Sequence, residues 1–516
     1  KLEKIVYFLF YFSGLILVIV FAEWWFRFSH IATNFRGYFH IFDYLIFIVL
    51  SYLVWQEIIM EVFSWYVSGY IKTKDTSHPI PFKNYRLAYV TAFVPGAESY
   101  DVLEKTLKGM VEVDYLHDTW LLDEGDDLTA KQICEKYGVF HFSRKGKEEF
   151  NTHSGKFTKK TKGGNYNSWL HHFSEKYDIV AQHDVDFIPQ KNFLTRTLGY
   201  FNDPDVAFVG TPQVYGNLGE SWIARGAAEQ TFGFYGPIQR GLHGHDMTLL
   251  IGANHLMRMK AYDDVDGYTA HITEDMLTGM KIYTRNWKSV YVPEVLLVGE
   301  GPSTWASYFS QQMRWSYGCM DIMLRHAPTL LPKMTTRHMI NYLILMQFYY
   351  GGIAQALGII LLSIYFLFGI TSANMDLLPL FTLYIPLLFF QTVFQLWLNR
   401  FNIDPQTEKG LFLRGKLLFL SAWPIYLLSF VSVLIGKKLT YVVTPKGGDQ
   451  INQRTPSLFR LHFVLGSITL VGMIIGYYLN NKSILMLFWA SLNTIFMYYF
   501  FFSEWALGLK DKLISK

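Results

Sequence analysis

"YDIVAQHDVDFIP", residues 177–189, decides how the middle of this chain is read. Five apolar or β-branched positions run into Asp184 and Asp186 and then a Pro, which reads as a buried strand ending in two acids. Two further stretches have the same form. "RLAYVTAFVPG", residues 86–96, is a strand closed by a Pro-Gly turn, and "TWLLDEGDD", residues 119–127, is a strand ending in acids. Helical patterns separate them, so the block from 71 to 333 is expected to be α/β. Ligands of open α/β sheets sit at the carboxyl ends of strands. The three strands are therefore expected to bring Glu98, Asp123 and the Asp184/Asp186 pair to one edge. Alternate residues on a strand share a face. Both carboxylates of the pair should then meet one hard cation, Mg²⁺ or Mn²⁺, which takes oxygen ligands and completes its shell with phosphates.

The composition of the whole chain is that of a membrane protein with a sizeable soluble part. Of 516 residues 51% are hydrophobic, 18% aromatic and only 17% charged, against about 25% charged in soluble domains. The net charge of +4 is too small to argue for nucleic acid. The two cysteines, Cys134 and Cys319, build neither a disulfide framework nor a zinc site. Apolar runs long enough to span lie at 5–22, 39–63, 339–368, 377–398, 458–479 and 484–505. The first is too long for a cleaved signal and reads as a retained anchor.

A further run, 411–435, is flanked by basic residues on both sides: Arg400, Lys409, Arg414 and Lys416 before it, Lys437, Lys438, Lys446, Arg454 and Arg460 after it. Basic loops are cytoplasmic, so this run is expected to be an interfacial or re-entrant helix with both flanks cytoplasmic, and Pro424 suggests a broken element rather than a clean span. The expectation is six spans, with both termini and the large block on the cytoplasmic side of the plasma (inner) membrane. The domains would be 1–70, two membrane helices; 71–333, the cytosolic block; and 334–516, a membrane domain with the interfacial helix and a loop at 437–456.

Three more stretches carry chemistry. "KTKGGNYNSWL", residues 160–170, offers Lys162 and two glycines at a helix start that could face an anion. "HITEDML", residues 271–277, places Glu274 and Asp275 at another helix start; an acid apart from the metal pair suits a general base. "SQQMRWSYG", residues 310–318, gathers Gln311, Gln312, Arg314 and Trp315 shortly before a membrane run.

In this order, Asp123, Asp184-Val-Asp186, Thr273-Glu274-Asp275, Gln311-Gln312-Met-Arg314-Trp315 and Tyr441-Val-Val-Thr444-Pro-Lys446 resemble the processive family-two glycosyltransferases, which include cellulose, curdlan, hyaluronan and capsule-polysaccharide synthases. The similarity runs from about 71 to 454. It implies a GT-A-type α/β cytosolic domain inserted in an α-helical transmembrane channel, a UDP-sugar donor, a growing polysaccharide and a surrounding lipid bilayer. Carried over by motif, Glu98 and Asp123 would hold the uridine, with Lys162 near the nucleotide. Asp184 and Asp186 would bind UDP and its metal, and Asp275, beside Glu274, would be the base. Gln311 and Arg314 would contact the diphosphate, and Gln312 and Trp315 the acceptor sugar. Thr444 and Lys446 would close over the donor.

Two departures stand out: Glu124 where the family often has a second Asp, and Tyr441 where the gating loop often has Phe. That loop favours UDP-glucose and a β-linked glucan. "PQVYGN", residues 212–217, and "GPSTW", residues 301–305, resemble stretches of bacterial capsule or β-glucan synthases. The alternatives are transfer of a single sugar to a lipid or other acceptor, or a synthase using UDP-GlcNAc or mixed donors.

Overall fold

A computed structural model of the chain describes residues 2–71, 78–437 and 456–514. The three strands read from sequence form as β1 (Leu87–Phe93), β2 (Asp118–Asp123) and β4 (Ile179–Asp184). With β3 (Phe140–Phe142), β6 (Val206–Gly210), β8 (Asn254–Arg258) and β9 (Lys288–Tyr291) they make a seven-stranded sheet in the order β3-β2-β1-β4-β8-β6-β9. β1 to β4 run parallel, and β8 is antiparallel to both its neighbours. β1 and β4 are buried on both faces, which accounts for their continuous apolar runs. The chain moves from β1 outward to β2 and β3 and then returns to β4 on the other side of β1. That reversal opens a crevice at the carboxyl ends of β1 and β4. A small second sheet, β5 (Ile188–Pro189), β10 (Leu297–Gly299) and β7 (Val214–Tyr215), lies beside it.

Among the described residues, seven helices are long and apolar enough to cross a membrane: Glu3–Trp25, Gly37–Ser68, Thr336–Phe368, Leu377–Phe401, Leu413–Leu434, Arg460–Tyr478 and Ile484–Ser503. Six match the expected spans. Phe21, Trp65, Phe394 and Trp397 pack the first, second and fourth into one aromatic core. Asn34, in the connection between the first two, donates to the Thr371 carbonyl at 2.9 Å, and the Asn374 amide donates to the His30 carbonyl at 2.8 Å. The 26–36 and 369–376 connections therefore lie on one side of the helical bundle.

The seventh helix, Leu413–Leu434, differs from the sequence expectation in being unbroken. Pro424 removes one backbone bond, but it is buried between Trp423 and Tyr426, and packing holds the helix together across it. This helix lies against Trp222–Gly233 and Trp305–Asp321, both from the 71–333 block, and against Gly351–Phe368. Direct bonds follow its length: Gln230 to the Gly415 carbonyl, Tyr426 to Gln312, and Ser316 to Ser429 at 2.6 Å. It is also long and apolar enough to cross a membrane, where the sequence expectation has it interfacial.

Candidate active site

The sheet register puts the acids at one edge. Asp123 is paired with Phe93 at the end of β1, and Asp184 with Ala92 one step before it. Glu98 follows in the loop after β1, where its carboxylate accepts from the Val94 amide at 2.9 Å.

Asp123 is fully buried and shapes the turn after β2. One oxygen accepts from the Gly125 amide at 2.8 Å, and the other from the Asp127 amide, with His141 at 3.0 Å. Glu124 holds Arg144 through two bonds, at 2.8 and 3.1 Å. The buried Arg144 guanidinium also donates to the carbonyls of Phe150, Phe157, Thr158 and Thr161. It thus fixes the loop that leads to the Thr161 cap of the Lys162–Phe173 helix. Sequence reading passes over Arg144, because one Arg in a polar loop carries no local signal.

Asp184 and Asp186 differ from their expected arrangement. β4 stops at Asp184, and residues 185 and 186 form a turn closed by the Phe187 amide on the Asp184 carbonyl at 2.9 Å. Thr106 fastens the turn by donating to the Val185 carbonyl. The pair therefore does not share a strand face. The Asp184 side chain is 37% exposed at the crevice, whereas Asp186 is buried beneath it.

Lys162 joins the two acidic motifs. Its ammonium donates to Asp184 at 2.6 Å and to the Gly252 carbonyl at 2.8 Å, and stands 3.8 Å from Glu274. Burial alone would lower its pKa; Asp184 and Glu274 outweigh burial and hold it well above its ordinary value. The two glycines that follow serve close packing. A Cβ on Gly163 would meet the Thr269 carbonyl oxygen at 2.4 Å, and the Gly164 amide is taken by Thr161.

Glu274 and Asp275 open the Glu274–Thr284 helix. Asp275 accepts from the Gly252 amide and the Met276 amide, both at 2.7 Å. A Cβ on Gly252 would come within 2.9 Å of the Asp275 carboxylate, so this approach depends on glycine. Burial raises both acids, Glu274 to about 7, with Lys162 partly opposing the rise.

The Trp305–Asp321 helix carries Gln311, Arg314 and Trp315 at spacings of three and four, hence on one face, and all three are half-buried. Gln312 points the other way and is buried, accepting from Tyr426 at 2.9 Å. The structure thus gives Gln312 a partner in the Leu413–Leu434 helix. One turn beyond Trp315, a Cβ on Gly318 would collide with the Thr273 side chain, and Cys319 Sγ is 3.7 Å from Met276 Sδ. These contacts seat the Gln-Arg-Trp face against the segment that holds Asp275. The "PQVYGN" and "GPSTW" stretches also meet: Asn217 donates to the Gly301 carbonyl and accepts from the Gly301 amide, and Tyr215 accepts from Gln311 at 3.4 Å. Tyr441, Thr444 and Lys446 lie outside the described residues.

Gly318→Ala tests the helix seat. A methyl there must push the helix off Thr273 by a fraction of an ångström. Since 1 Å of misplacement can cost about 10²-fold, turnover is expected to fall about tenfold, with nucleotide affinity kept. A variant with parental turnover would show that this contact does not position the site.

Parts of the chain are similar to known proteins. Residues 179–397 match the glycosyl transferase family group 2. A UDP-forming cellulose synthase catalytic protein of Dictyostelium discoideum is 34% identical over 167 residues, 31% of this chain and 16% of that protein. The UDP-forming catalytic component of cellulose synthase 1 from Komagataeibacter xylinus is 24% identical over 303 residues, 56% of this chain and 39% of that protein. The chain thus spans well under half the length of these relatives. Among solved structures, a mannosyltransferase from Pyrobaculum calidifontis in complex with GDP-Man and Mn²⁺ aligns with a TM-score of 0.49 at 12% identity, over 76% of this chain and 99% of that one. Residues 179–397 thus form a region similar to the glycosyl transferase family group 2, and cellulose synthase catalytic proteins are among the chain's homologues.

Proposed function

We propose that this protein is a processive, inverting glycosyltransferase that polymerises glucose from UDP-glucose into a β-linked polysaccharide and passes the chain out through its own membrane helices. The observation that carries the reading is the seating of Gly318 on Thr273. It seats the helix that carries Gln311, Arg314 and Trp315, itself bonded to Leu413–Leu434, against the segment before Asp275, which supports reading that face as acceptor-binding.

In this reading the acceptor hydroxyl attacks the anomeric carbon of the donor. Its proton passes to Asp275, the bond from that carbon to the phosphate oxygen breaks, and UDP leaves. Attack from the far side inverts an α-linked donor to a β-linked product. Glu98 and Asp123 border the nucleoside, and Lys162, Gln311 and Arg314 the diphosphate. Thr444 and Lys446, read from sequence alone, would add a hydroxyl and a cation to it.

A divalent ion fits the donor set: Asp184 and Asp186 supply carboxylate oxygens, the ligands that Mg²⁺ and Mn²⁺ prefer. When bound, the ion would neutralise charge on the departing diphosphate. Lys162 is already on Asp184 and supplies part of that neutralisation from the protein. The same reading makes the protein multi-pass in the plasma (inner) membrane, with the sheet domain and both termini cytoplasmic.

Purified protein given labelled UDP-glucose is expected to make high-mass, glucanase-sensitive polymer. A single-sugar product would replace the processive reading with the non-processive one. The acceptor face is tested by Trp315→Ala. A stacked aromatic contact is worth about 1.5 kcal/mol, or about tenfold in occupancy. Polymer yield should fall by about that factor while UDP binding by calorimetry stays level. Equal loss of both would make Trp315 a packing residue only.

A further inference from the structure

His271, Asp321 and His326 form a second cluster, apart from the acids of the crevice. Their ligand atoms all lie within 4.8 Å of one another. His271 Nε2 is 3.1 Å and His326 Nε2 3.9 Å from the same oxygen of Asp321, Oδ2. We propose that these three side chains bind a zinc-class divalent transition metal, which pins the segment before Asp275 to the end of the Trp305–Asp321 helix.

The donor set points to this class. Two imidazoles and one carboxylate suit Zn²⁺, Co²⁺ or Ni²⁺, whereas all-oxygen sets suit Mg²⁺ and Ca²⁺. With zinc–ligand bonds of about 2.0–2.2 Å, neighbouring ligands of a tetrahedral site stand about 3.4 Å apart. The spacings found here need only small side-chain adjustments to reach that. Asp321 is held for the task. Its other oxygen, Oδ1, pairs with Arg325 at 2.8 Å, and Arg325 in turn donates to the Val433 carbonyl at 2.9 Å. This leaves Oδ2 turned toward the two imidazoles.

In the structure His271 Nδ1 accepts from the Thr273 amide at 3.2 Å and stands 3.1 Å from Thr273 Oγ1. With Nε2 on a metal the proton would sit on Nδ1, which would give up the amide bond and donate to Oγ1. The His326 side chain is 41% exposed and Asp321 only 8%. Metal and a completing water can therefore enter from the His326 side.

The consequence for the fold is specific. His271 lies four residues before Asp275, Asp321 three after Gly318, and Val433 at the end of the Leu413–Leu434 helix. One ion would clamp all three around the acceptor face. The cluster shares no residue with the donor site, so the two assignments can fail separately.

Full-length protein in detergent, stripped with chelator and dialysed against zinc, is expected to hold one equivalent by elemental analysis. Cobalt in its place should give the visible absorption of a four-coordinate site. His326→Gln and His271→Gln should each lose the bound metal. Asp184→Asn should keep it, separating this site from the crevice. Zinc should raise the melting temperature of the parent but not of His326→Gln, a half-exposed substitution that leaves the packing intact. Retention of one equivalent by both histidine variants, or no zinc on the parent, would overturn the proposal.

Discussion

Replacing Asp275 by Asn is expected to lower turnover by about 10²–10⁴-fold, the range for loss of a general base, with UDP affinity little changed. The carboxylate accepts from two amides, Gly252 and Met276. An amide side chain has one acceptor oxygen, so it satisfies one of them and sets its own NH₂ against the other. That mismatch costs about 1–3 kcal/mol of stability, which thermal unfolding will register apart from the rate. Glu274→Gln is the companion variant. It removes a neighbour whose carboxyl is pushed up to about 7 by burial but leaves Asp275 able to take a proton, so its loss should be the smaller one. Near-parental turnover in Asp275→Asn, or α-linkages in the product by NMR, would remove the base role.

The same acids predict the pH profile. Burial raises Asp275 above the ordinary carboxylate range, and a base works only when ionised. Turnover should therefore rise with pH along a limb above that range. Stability runs the other way. A carboxyl whose folded pKa lies above its unfolded value favours the protonated form in the fold. For Glu274 the stabilising effect is complete below 4.5 and is lost as pH rises toward about 7.

The strands, the acids at their ends and the helix starts are legible in the sequence because each rests on local pattern. β1, β2 and β4 are short continuous apolar runs bounded by a Pro-Gly turn or by acids, a pattern that needs no tertiary knowledge. The place where two-residue periodicity misleads is Asp186. Alternation extends the strand to it, yet Thr106 and the Phe187 amide close a turn there, and those contacts come from residues that pattern cannot see. Arg144 is illegible for the same reason: its five carbonyl and carboxylate partners come together only when the 144–161 loop is folded. For the Leu413–Leu434 helix flank charge and Pro424 both argue from sequence against a clean span, and Pro424 misleads on continuity. The helix is continuous, with two helices of the sheet domain along its side.

Lys162→Met should be the most damaging change to the site that leaves every proposed base and metal ligand in place. The ammonium is 2.6 Å from Asp184 and 3.8 Å from Glu274, in a side chain only 11% exposed. Methionine fills the volume and supplies no charge. Removing one partner of a buried pair typically costs about 3–5 kcal/mol; Asp184 is 37% exposed and partly rescued by water, so about 3 kcal/mol is expected here. Two acids then face each other without a counter-charge. Lys162 is the group that holds Glu274 down, so its loss raises that carboxyl further. The sign follows: the variant should lose most stability above pH 7, where Glu274 must ionise, and recover part of it at lower pH. UDP affinity should fall with turnover if, as proposed, this cation meets the diphosphate, and Lys162→Arg should restore some of the stability without restoring the geometry. If Lys162→Met melts at the parental temperature at both pH 6 and pH 8, the coupling between the two acidic motifs is not what orders this crevice.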